Sequence, residues 1–326
     1  MPELEIGVVG LGATGARIAR ALVESAEVAT VVVRGSSPDR EPRVVRALGD
    51  KAMRWASGAP SVTVIATPPG THLELARAEV EQGRHVVSTS ADLDEIESLF
   101  GLGPLAAELG VGVIAGAAMS PGLSTVLACH AAELFDEVTE VHVGMLGAGG
   151  HACVEQRARA LAADGLEWRE GEWLEAGSGS GKELLWFPDP IGARDCARGR
   201  FAEPVLLHRV FPGASRLSAR GAVERAERWI GRFAPRQPLA PDGEPGAIRV
   251  EVHGRRDQGL DTVVYAAMDR PALAAAITAA VAAIGMGLQS PAEGGVVGLA
   301  EAVEPVPFLT ELARRGVRAA TALDPS

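Results

Sequence analysis

Short apolar runs alternate with amphipathic segments through the N-terminal third of the chain. The apolar runs have the length of buried strands, and the segments between them carry apolar residues at helical spacing. The predicted strands span residues 4–9, 29–33, 61–67, 84–88 and 111–115, and the predicted helices span 16–23, 42–55, 71–82 and 92–110, the last broken at 101–104. This alternation predicts right-handed crossovers and an α/β fold with a doubly wound parallel sheet.

The pattern changes after Gly122. Longer segments predict strands over residues 137–145, 204–210, 247–254 and 260–268, and a polar segment predicts a helix over 215–233. They indicate a second, α+β domain with a mixed or antiparallel sheet that has one covered face. We expect a first domain over residues 1–122, to which residues 290–326 return, and a second domain over 123–289. The apolar segment 271–287 is shorter than the ~20 residues of a membrane span, and it predicts a packed helix.

Three glycines stand between the first predicted strand and the first predicted helix. Gly10, Gly12 and Gly15 give the spacing G-x-G-x-x-G in the strand–turn–helix context of a Rossmann dinucleotide-binding fingerprint. Gly10 would make the tight turn, Gly12 would let the backbone approach a pyrophosphate, and Gly15 would allow close helix–strand packing. The phosphates would lie at the helix N-terminus beside Ala13 and Thr14, where free N–H groups and the helix dipole favour anions.

The second predicted strand ends in Arg34, where an acidic residue would bind the ribose 2′-hydroxyl of NAD. Arg34 and the nearby Ser36, Ser37 and Arg40 offer donors for a 2′-phosphate, which an acidic side chain would repel. We therefore predict NADP as the cofactor. The alternative is that Arg34 is a solvated loop residue and that the cofactor is NAD.

Polar residues follow the third and fourth predicted strands, where open parallel sheets bind their ligands. The candidate cofactor contacts are Thr67, Pro68, Pro69, His72, Ser88 and Thr89. His72 could equally be a surface residue in the first turn of a helix, and Ser88 and Thr89 could merely cap the helix that follows. Thr71 with Glu74 three residues later predicts a capping box at the start of the helix over 71–82.

Composition and charge exclude several classes of function. The 326 residues suffice for about two domains, and the net charge of −11 makes nucleic acid and anionic membranes improbable partners. The three cysteines, Cys129, Cys153 and Cys196, have no paired spacing, so we expect neither a disulfide framework nor a metal site. Because the first strand begins within a few residues of Met1, we expect no signal peptide and a cytoplasmic location.

Five motifs occur in order along the chain. After the glycine fingerprint come A-T-P-P-G-T-H at 66–72, A-G-A-A-M-S-P-G-L-S at 115–124, W-F-P-D-P at 186–190 and E-P-V-P-F-L at 304–309. With these motifs the chain resembles the saccharopine dehydrogenase-like reductases over nearly its whole length. Around the Pro-Gly turn it is similar to diaminopimelate and diaminopentanoate dehydrogenases. The turn at 66–72 is also similar to that of glucose-fructose oxidoreductase-like sugar dehydrogenases.

The resemblance implies an NAD(P)-dependent oxidoreductase that transfers hydride to or from the C–N carbon of an amino-acid-derived imine or amine. It implies that the Pro-Gly turn lies beside nicotinamide and substrate, with Pro121 near the cofactor and with Met119 and Gly122 near the substrate. An acid often precedes this turn in such families, whereas this chain has Ser120. It also implies a homodimer formed through the second-domain sheet.

Candidate catalytic groups are therefore Ser120 and Asp92, with Asp94 as an alternative carboxylate. Either aspartate could instead be an exposed acid at a helix N-terminus, stabilised by the helix dipole. In the second domain, Arg194 and Arg198 could bind a substrate carboxylate with two parallel hydrogen bonds, or they could be ordinary surface arginines.

Two other functions remain open. Glucose-fructose oxidoreductase-like enzymes that oxidise a sugar or another alcohol are expected to carry Glu-Lys-Pro where this chain has Ser90-Ala91-Asp92. The only lysines are Lys51 and Lys182, which argues against a lysine proton relay. The third possibility is a catalytically silent NADP-binding sensor that retains the fingerprint.

Overall fold

A computed structural model describes residues 4–35, 39–56, 59–223, 244–257, 259–289 and 294–321. The N-terminal elements are β1 (Leu4–Val9), α1 (Ala13–Val23), β2 (Val28–Arg34), α2 (Arg40–Leu48), β3 (Ala52–Arg54), β4 (Val62–Ile65), α3 (His72–Val80), β5 (His85–Ser88), α4 (Leu93–Phe100), α5 (Gly103–Glu108) and β6 (Gly112–Ala115). They are followed by α6 (Leu123–Ala132), β7 (Glu137–Leu146), α7 (His151–Ala162), β8 (Gly165–Arg169), β9 (Glu172–Ala176), β10 (Glu183–Phe187), β11 (Gly192–Arg198), α8 (Glu203–Val210), β12 (Arg216–Ala222), β13 (Gly246–Arg256), β14 (Gly259–Asp269), α9 (Pro271–Gln289), β15 (Gly295–Gly298), α10 (Leu299–Ala302), α11 (Pro305–Arg314) and β16 (Ala319–Thr321).

The first of two compact units contains Met1–Gly122 and Ala272–Val303. Its seven-stranded sheet has the order β15-β6-β5-β4-β1-β2-β3, and neighbouring strands are parallel throughout. The strands are apolar along almost their whole length because helices cover both faces of such a sheet. Ile6, Ile18, Ile65 and Ile96 are among the fully buried side chains of its core.

The second unit contains Leu123–Pro271 and Glu304–Ser326. Its nine-stranded sheet has the order β10-β11-β12-β7-β13-β14-β16, with β8 paired to β12 and to β9. The pair β7 and β12 is parallel, and the other pairs are antiparallel. The predicted fold class is confirmed: a parallel Rossmann sheet is combined with a second unit that has a mixed sheet.

The two units divide the C-terminal part of the chain differently from the expectation. Helix α9 belongs to the first unit apart from its first residue, because Gly287 packs closely against Leu4 of β1 and Val62 of β4. The terminal segment belongs to the second unit, where β16 pairs with β14. Helix α9 is long and apolar enough to cross a membrane by length and composition, but 72% of its most apolar window is buried inside the protein, as in a core helix.

Three predicted elements are wrong. Residues 204–210 form helix α8 rather than a strand, and Pro204 lies in its first turn, where a missing N–H costs nothing. Residues 216–222 form strand β12 rather than the start of a helix, and the remainder of that predicted helix lies outside the described residues. The helix predicted to extend to residue 55 ends at Leu48, where Gly49 adopts a φ of 83°, and Ala52–Arg54 forms β3.

Candidate functional site

The carboxyl ends of the central strands in the first unit are joined by a continuous set of backbone hydrogen bonds. All these strands run in the same direction, so their ends meet at one edge of the sheet, where ligands of such folds bind. The bonds run from the N–H of Gly10 to Arg34 O (2.8 Å), Ala66 to Val9 O (2.8 Å), Thr89 to Ile65 O (3.1 Å) and Ala117 to Ser88 O (2.8 Å). The segments that the sequence singled out therefore lie side by side along this edge, which we call the carboxyl edge.

The three fingerprint glycines meet different surroundings. Gly10 has a φ of 95°, and a Cβ there would lie 2.4 Å from the carbonyl oxygen of Ala66. A Cβ on Gly15 would lie 1.8 Å from the carbonyl oxygen of Gly10. A Cβ on Gly12 would meet no atom within 4 Å, although Gly12 is the N-cap of helix α1. Gly10 and Gly15 are thus required by packing, whereas the surroundings of Gly12 leave space for a ligand.

The N-terminus of α1 suits a phosphate group. The first turn contains no acidic side chain, and Gly12 at the N-cap offers no side-chain hydrogen bond to the helix. Ala13 and Thr14 are half-buried, and Gly12 is exposed. A pyrophosphate would therefore meet the positive end of an eleven-residue helix whose own first turn carries no carboxylate. These residues fit the dinucleotide that the fingerprint predicts.

Arg34 is held at the end of β2 by a carboxylate and an aromatic ring. Its guanidinium lies 4.8 Å from the centre of the Trp55 ring, and Nη2 lies 3.4 Å from Oε1 of the buried Glu79. Glu79 also accepts hydrogen bonds from Nη1 of Arg84 at 2.8 Å and from the Thr63 hydroxyl at 2.9 Å. The Arg34 side chain remains 45% exposed. One carboxylate thus serves two arginines, and it lies beside the amino half of β4 and β5, because Thr63 is near the start of β4 and Arg84 directly precedes β5.

A second carboxylate at this end was missed by the sequence analysis. Glu41, in the first turn of α2, accepts the N–H of Gly35 at 3.3 Å and a hydrogen bond from Nε of Arg54. The Arg54 hydrogen bond lowers the pKa of Glu41 despite its burial, so the group is ionised at neutral pH. Glu41 was overlooked because it comes seven residues after Arg34, the last residue of β2, whereas the acidic residue was expected directly at the end of that strand. Arg40 is exposed at the start of α2, and the predicted contacts Ser36 and Ser37 lie outside the described residues.

His72 is a buried side chain and not a surface residue of α3. Its Nε2 lies 2.9 Å from the carbonyl oxygen of Thr67, and its Nδ1 lies 2.8 Å from the hydroxyl of Ser88. Because a carbonyl only accepts, Nε2 carries the proton and Nδ1 accepts from Ser88. Burial lowers the pKa of His72, although the nearby Glu95 and the Thr67 carbonyl act in the opposite direction. His72 is therefore a neutral brace between the ends of β4 and β5.

Glu95 of α4 binds the loop before α3. Its Oε1 accepts the N–H groups of Gly70 at 2.8 Å and His72 at 2.7 Å, and its Oε2 accepts the hydroxyl of Ser90 at 2.7 Å. Thr71 occupies the N-cap of α3 without a side-chain hydrogen bond to the helix. The predicted capping box is wrong because the carboxylate that reaches the first turn comes from Glu95 in the next helix.

The remaining residues of this edge also bond within the protein. The Thr71 hydroxyl lies within hydrogen-bond distance of the Thr67 hydroxyl and of the carbonyl oxygen of Pro68. Thr67 and Pro69 are half-buried, and Pro68 is exposed. The Thr89 hydroxyl donates to the carbonyl oxygen of Ile65 at 3.0 Å. These contacts brace the loops, and they leave the cofactor contacts predicted for these residues untested.

The candidate acid Asp92 caps a helix. It has extended backbone at the N-cap of α4, and Oδ1 accepts the N–H of Glu95 at 3.1 Å. The sequence analysis gave this position at a helix N-terminus as the alternative role of Asp92. The same hydrogen bond also orients Glu95.

The Pro-Gly turn extends the carboxyl edge beyond β6. The N–H of Ala118 donates to the carbonyl oxygen of Pro121 at 3.0 Å, and the Ser120–Pro121 peptide is cis. Gly122 has a φ of 125°, and a Cβ there would lie 2.4 Å from the carbonyl oxygen of Ala118, so only glycine fits. Met119 is buried, and Ser120 is half-buried. Ser120 is therefore more accessible to solvent than its neighbour Met119.

The two arginines predicted to bind a substrate carboxylate have different surroundings in the second unit. Arg194 is exposed on β11, and its Nη1 donates to the carbonyl oxygen of Ala193. Nε of Arg198 lies 3.0 Å from the buried carboxylate of Glu167. In the part of the chain that the structure describes, no group of three or more His, Cys, Asp or Glu side chains could hold a metal ion.

No family model and no curated protein sequence matches this chain. Solved structures match it over almost its full length at low sequence identity. Apo saccharopine dehydrogenase (L-Glu forming) from Saccharomyces cerevisiae has a TM-score of 0.68 and 12% identity, covering 98% of this chain and 100% of that one. The C. glutamicum DAP dehydrogenase in complex with DAP has a TM-score of 0.54 and 15% identity, covering 97% and 100%. An engineered D-amino acid dehydrogenase bound to NADP⁺ has a TM-score of 0.50 and 15% identity, covering 97% and 100%.

These matches establish the fold. It is the NAD(P)-binding dehydrogenase fold of saccharopine dehydrogenase and DAP dehydrogenases, as the sequence motifs predicted.

Proposed function

We propose that this protein is an NADPH-dependent oxidoreductase that transfers hydride to or from the C–N carbon of an amino-acid-derived imine or amine. The observation that carries the proposal is the open N-terminus of α1 at Gly12, next to a carboxyl edge without a lysine or tyrosine among its described residues. The fold shared with amino-acid dehydrogenases supports it.

The bound nicotinamide would supply the hydride, and the residues of this chain would bind and orient it. Gly12, Ala13 and Thr14 would receive the pyrophosphate at the positive end of α1. The loop at 66–72 would border the ribose and nicotinamide, held in one conformation by His72 and Glu95. Because these braces are buried, the loop is fixed before the cofactor arrives, which reduces the ordering cost of binding.

The preference for NADP rests on charge at the end of β2. Arg34 ends β2, where an acidic residue would repel a 2′-phosphate, and its partly exposed guanidinium offers donors to that group. NAD is the second candidate, and Glu41 favours it: its carboxylate accepts the N–H of Gly35, where an acid at the end of β2 would bind the ribose hydroxyl. The ratio of NADPH to NADH affinity distinguishes the two candidates.

The choice of an imine over an alcohol rests on the available proton carriers. Lys51 donates to the carbonyl oxygen of Ser25, which precedes β2 at the opposite end of that strand. Lys182 lies in the second unit, and so does Tyr265, whose ring contacts His130. A protonated imine is already electrophilic, so its reduction does not need a strong general acid. Oxidation of an alcohol, in contrast, needs a general base to remove the hydroxyl proton.

The test is turnover with pooled substrates. The full-length protein is incubated with NADPH, pooled 2-oxo acids and either ammonium or pooled amino acids, and loss of nicotinamide absorbance is followed. A parallel reaction contains NADP⁺ with pooled sugars and alcohols. We expect oxidation of NADPH only when a 2-oxo acid and an amine are both present. Turnover confined to the sugar or alcohol pool contradicts the proposal, and tight NADPH binding without turnover in any pool supports the sensor instead.

A further inference from the structure

One face of the second-unit sheet carries a regular array of charged side chains. The register of β12, β7 and β13 places nine positions in three rows across the sheet. The rows are Arg216–Glu140–His253, Ser218–His142–Glu251 and Arg220–Gly144–Arg249. Alternate residues of the same strands, such as Val141, Leu217 and Val250, are fully buried and form the apolar face. The array therefore belongs to a single face of one sheet.

The three carboxylates around this face each have a close partner. Glu251 bonds Arg249 at 2.7 Å and His253 at 2.8 Å, and the hydrogen bond from His253 lowers the pKa of Glu251 to about 2. Glu183 of β10 lies 3.1 Å from Nε of Arg220. Glu140 lies 3.0 Å from Nε2 of His142. The acidic groups are thus already engaged with other side chains of the array.

Arg216 is the cation that lacks a close acidic partner. Its nearest carboxylates in the described part of the chain are Glu140 and Glu167, both at 3.8 Å. Glu167 is closer to Arg198, at 3.0 Å. The Nε atom of Arg216 is buried and has no hydrogen-bond partner among the described residues. A buried guanidinium N–H without a partner is costly, and an anionic ligand would remove that cost.

Arg216 lines a cavity on this face. The cavity has a volume of about 230 Å³. Its charged and titratable lining residues are Arg216, Arg220, Arg249, His142, His253, Glu140, Glu183 and Glu251. Such a volume holds several waters or a small organic acid, but not a nucleotide. The lining balances three arginines against three glutamates, so it carries no large positive surplus, which suits a monoanion better than a phosphate dianion.

We propose that this cavity binds a small organic carboxylate, whose oxygen atoms are received by the guanidinium of Arg216. The site lies wholly within the second unit and needs no cofactor. The carboxylate is either the substrate of the proposed oxidoreductase or a separate metabolite. Arg216 would bind the carboxylate group of either one in the same way.

The test is calorimetric titration of the full-length protein, without cofactor, against pyruvate, 2-oxoglutarate, L-alanine, L-glutamate and inorganic phosphate. We expect at least one carboxylate to bind, and Arg216→Gln to weaken it by roughly tenfold or more, because a charge-assisted pair contributes about 1.5–3 kcal/mol. Arg216→Lys should bind the carboxylate with an affinity between those of the parent protein and Arg216→Gln. Lysine keeps the positive charge but cannot donate two parallel hydrogen bonds. Arg256→Gln, an exposed arginine on the same strand as Arg249, is the matched control and should bind as the parent does.

Each outcome decides the proposal. Equal carboxylate affinity in the parent and Arg216→Gln, with unchanged thermal unfolding, overturns it. So does phosphate binding more tightly than every carboxylate, or no binding by any probe. If the binding carboxylate also drives NADPH oxidation and Arg216→Gln loses both, the ligand is the substrate. If Arg216→Gln loses binding but retains turnover, the ligand is a separate metabolite. Failure of turnover in all pools leaves the titration result intact.

Discussion

The guanidinium of Arg34 lies over the ring of Trp55, 4.8 Å from its centre, while its Nη2 remains 3.4 Å from the buried carboxylate of Glu79. The arginine that ends β2 is therefore held by two neighbours before any cofactor binds. A side chain restrained in this way loses less conformational freedom when it binds a phosphate.

Arg34→Asp should narrow or reverse a preference for NADPH over NADH. The substitution removes a cation and places a carboxylate that repels a 2′-phosphate and accepts a ribose hydroxyl. We expect NADPH affinity to fall by about tenfold to a hundredfold, as for loss of a charged hydrogen bond of ~1.5–3 kcal/mol. Titration by cofactor fluorescence measures both affinities. Equal affinities for NADPH and NADH in the parent protein would contradict the NADP proposal.

Glu41→Gln should shift the same ratio in the opposite direction. The neutral amide keeps the shape of the side chain and can still accept the N–H of Gly35, but it removes a negative charge from the end of β2. We expect NADPH affinity to rise several-fold relative to NADH, because one unit charge at a partly solvated site changes binding by ~1 kcal/mol. An unchanged ratio would show that Glu41 does not face the adenosine ribose.

Gly12→Ala and Gly15→Ala should separate cofactor binding from folding. A methyl group at position 12 meets no protein atom, so that variant should lose no more than ~1 kcal/mol of unfolding free energy, yet bind NADPH weakly. A methyl group at position 15 collides with the carbonyl oxygen of Gly10, so that variant should lose ~1–3 kcal/mol or more. Thermal unfolding and cofactor titration give the two readouts. NADPH binding by Gly12→Ala at the parent's affinity would contradict the assigned phosphate site.

The buried, neutral His72 should make stability depend on pH. Burial lowers its pKa in the folded protein, so below its usual value near ~6.5 the unfolded chain binds more protons. The free energy of unfolding should therefore fall as pH falls from 7 to 5, with His72 contributing up to ~1.4 kcal/mol per pH unit. Urea titrations at several pH values should give a smaller slope for His72→Gln. The exposed His151→Gln is the control, and an equal slope in both variants would contradict the neutral-brace role.

The N-terminal half was predictable because its signals are local. Apolar runs of strand length, the three glycines and the turn at 66–72 each determine structure within a few residues of themselves. The second unit was harder to predict. Residues 204–210 read as a buried strand by their apolar content, whereas Pro204 in the first turn was the overlooked sign of a helix. In β12 the alternation of Arg216, Leu217, Ser218 and Ala219 has a period of two, which the polar composition obscured.

The site was predictable in location but not in its supporting groups. Glu41, Glu79 and Glu95 each come from a helix and bond a loop or side chain elsewhere in the first unit, up to 45 residues away for the contact between Glu79 and Arg34. No spacing rule connects such pairs, because tertiary packing brings them together. An acidic residue on an otherwise apolar helix face was the available signal: Glu79 and Glu95 are both buried.

The most direct test of the proposed reaction follows the hydrogen itself. NADPH carrying deuterium at both hydrogen positions of nicotinamide C4 is incubated with the protein, pooled 2-oxo acids and ammonium or amino acids, and the products are analysed by mass spectrometry. The proposal predicts a new amino acid or secondary amine with deuterium on the carbon bonded to nitrogen. Deuterium on a hydroxyl-bearing carbon instead, or none in any product while NADPH is tightly bound, would contradict it.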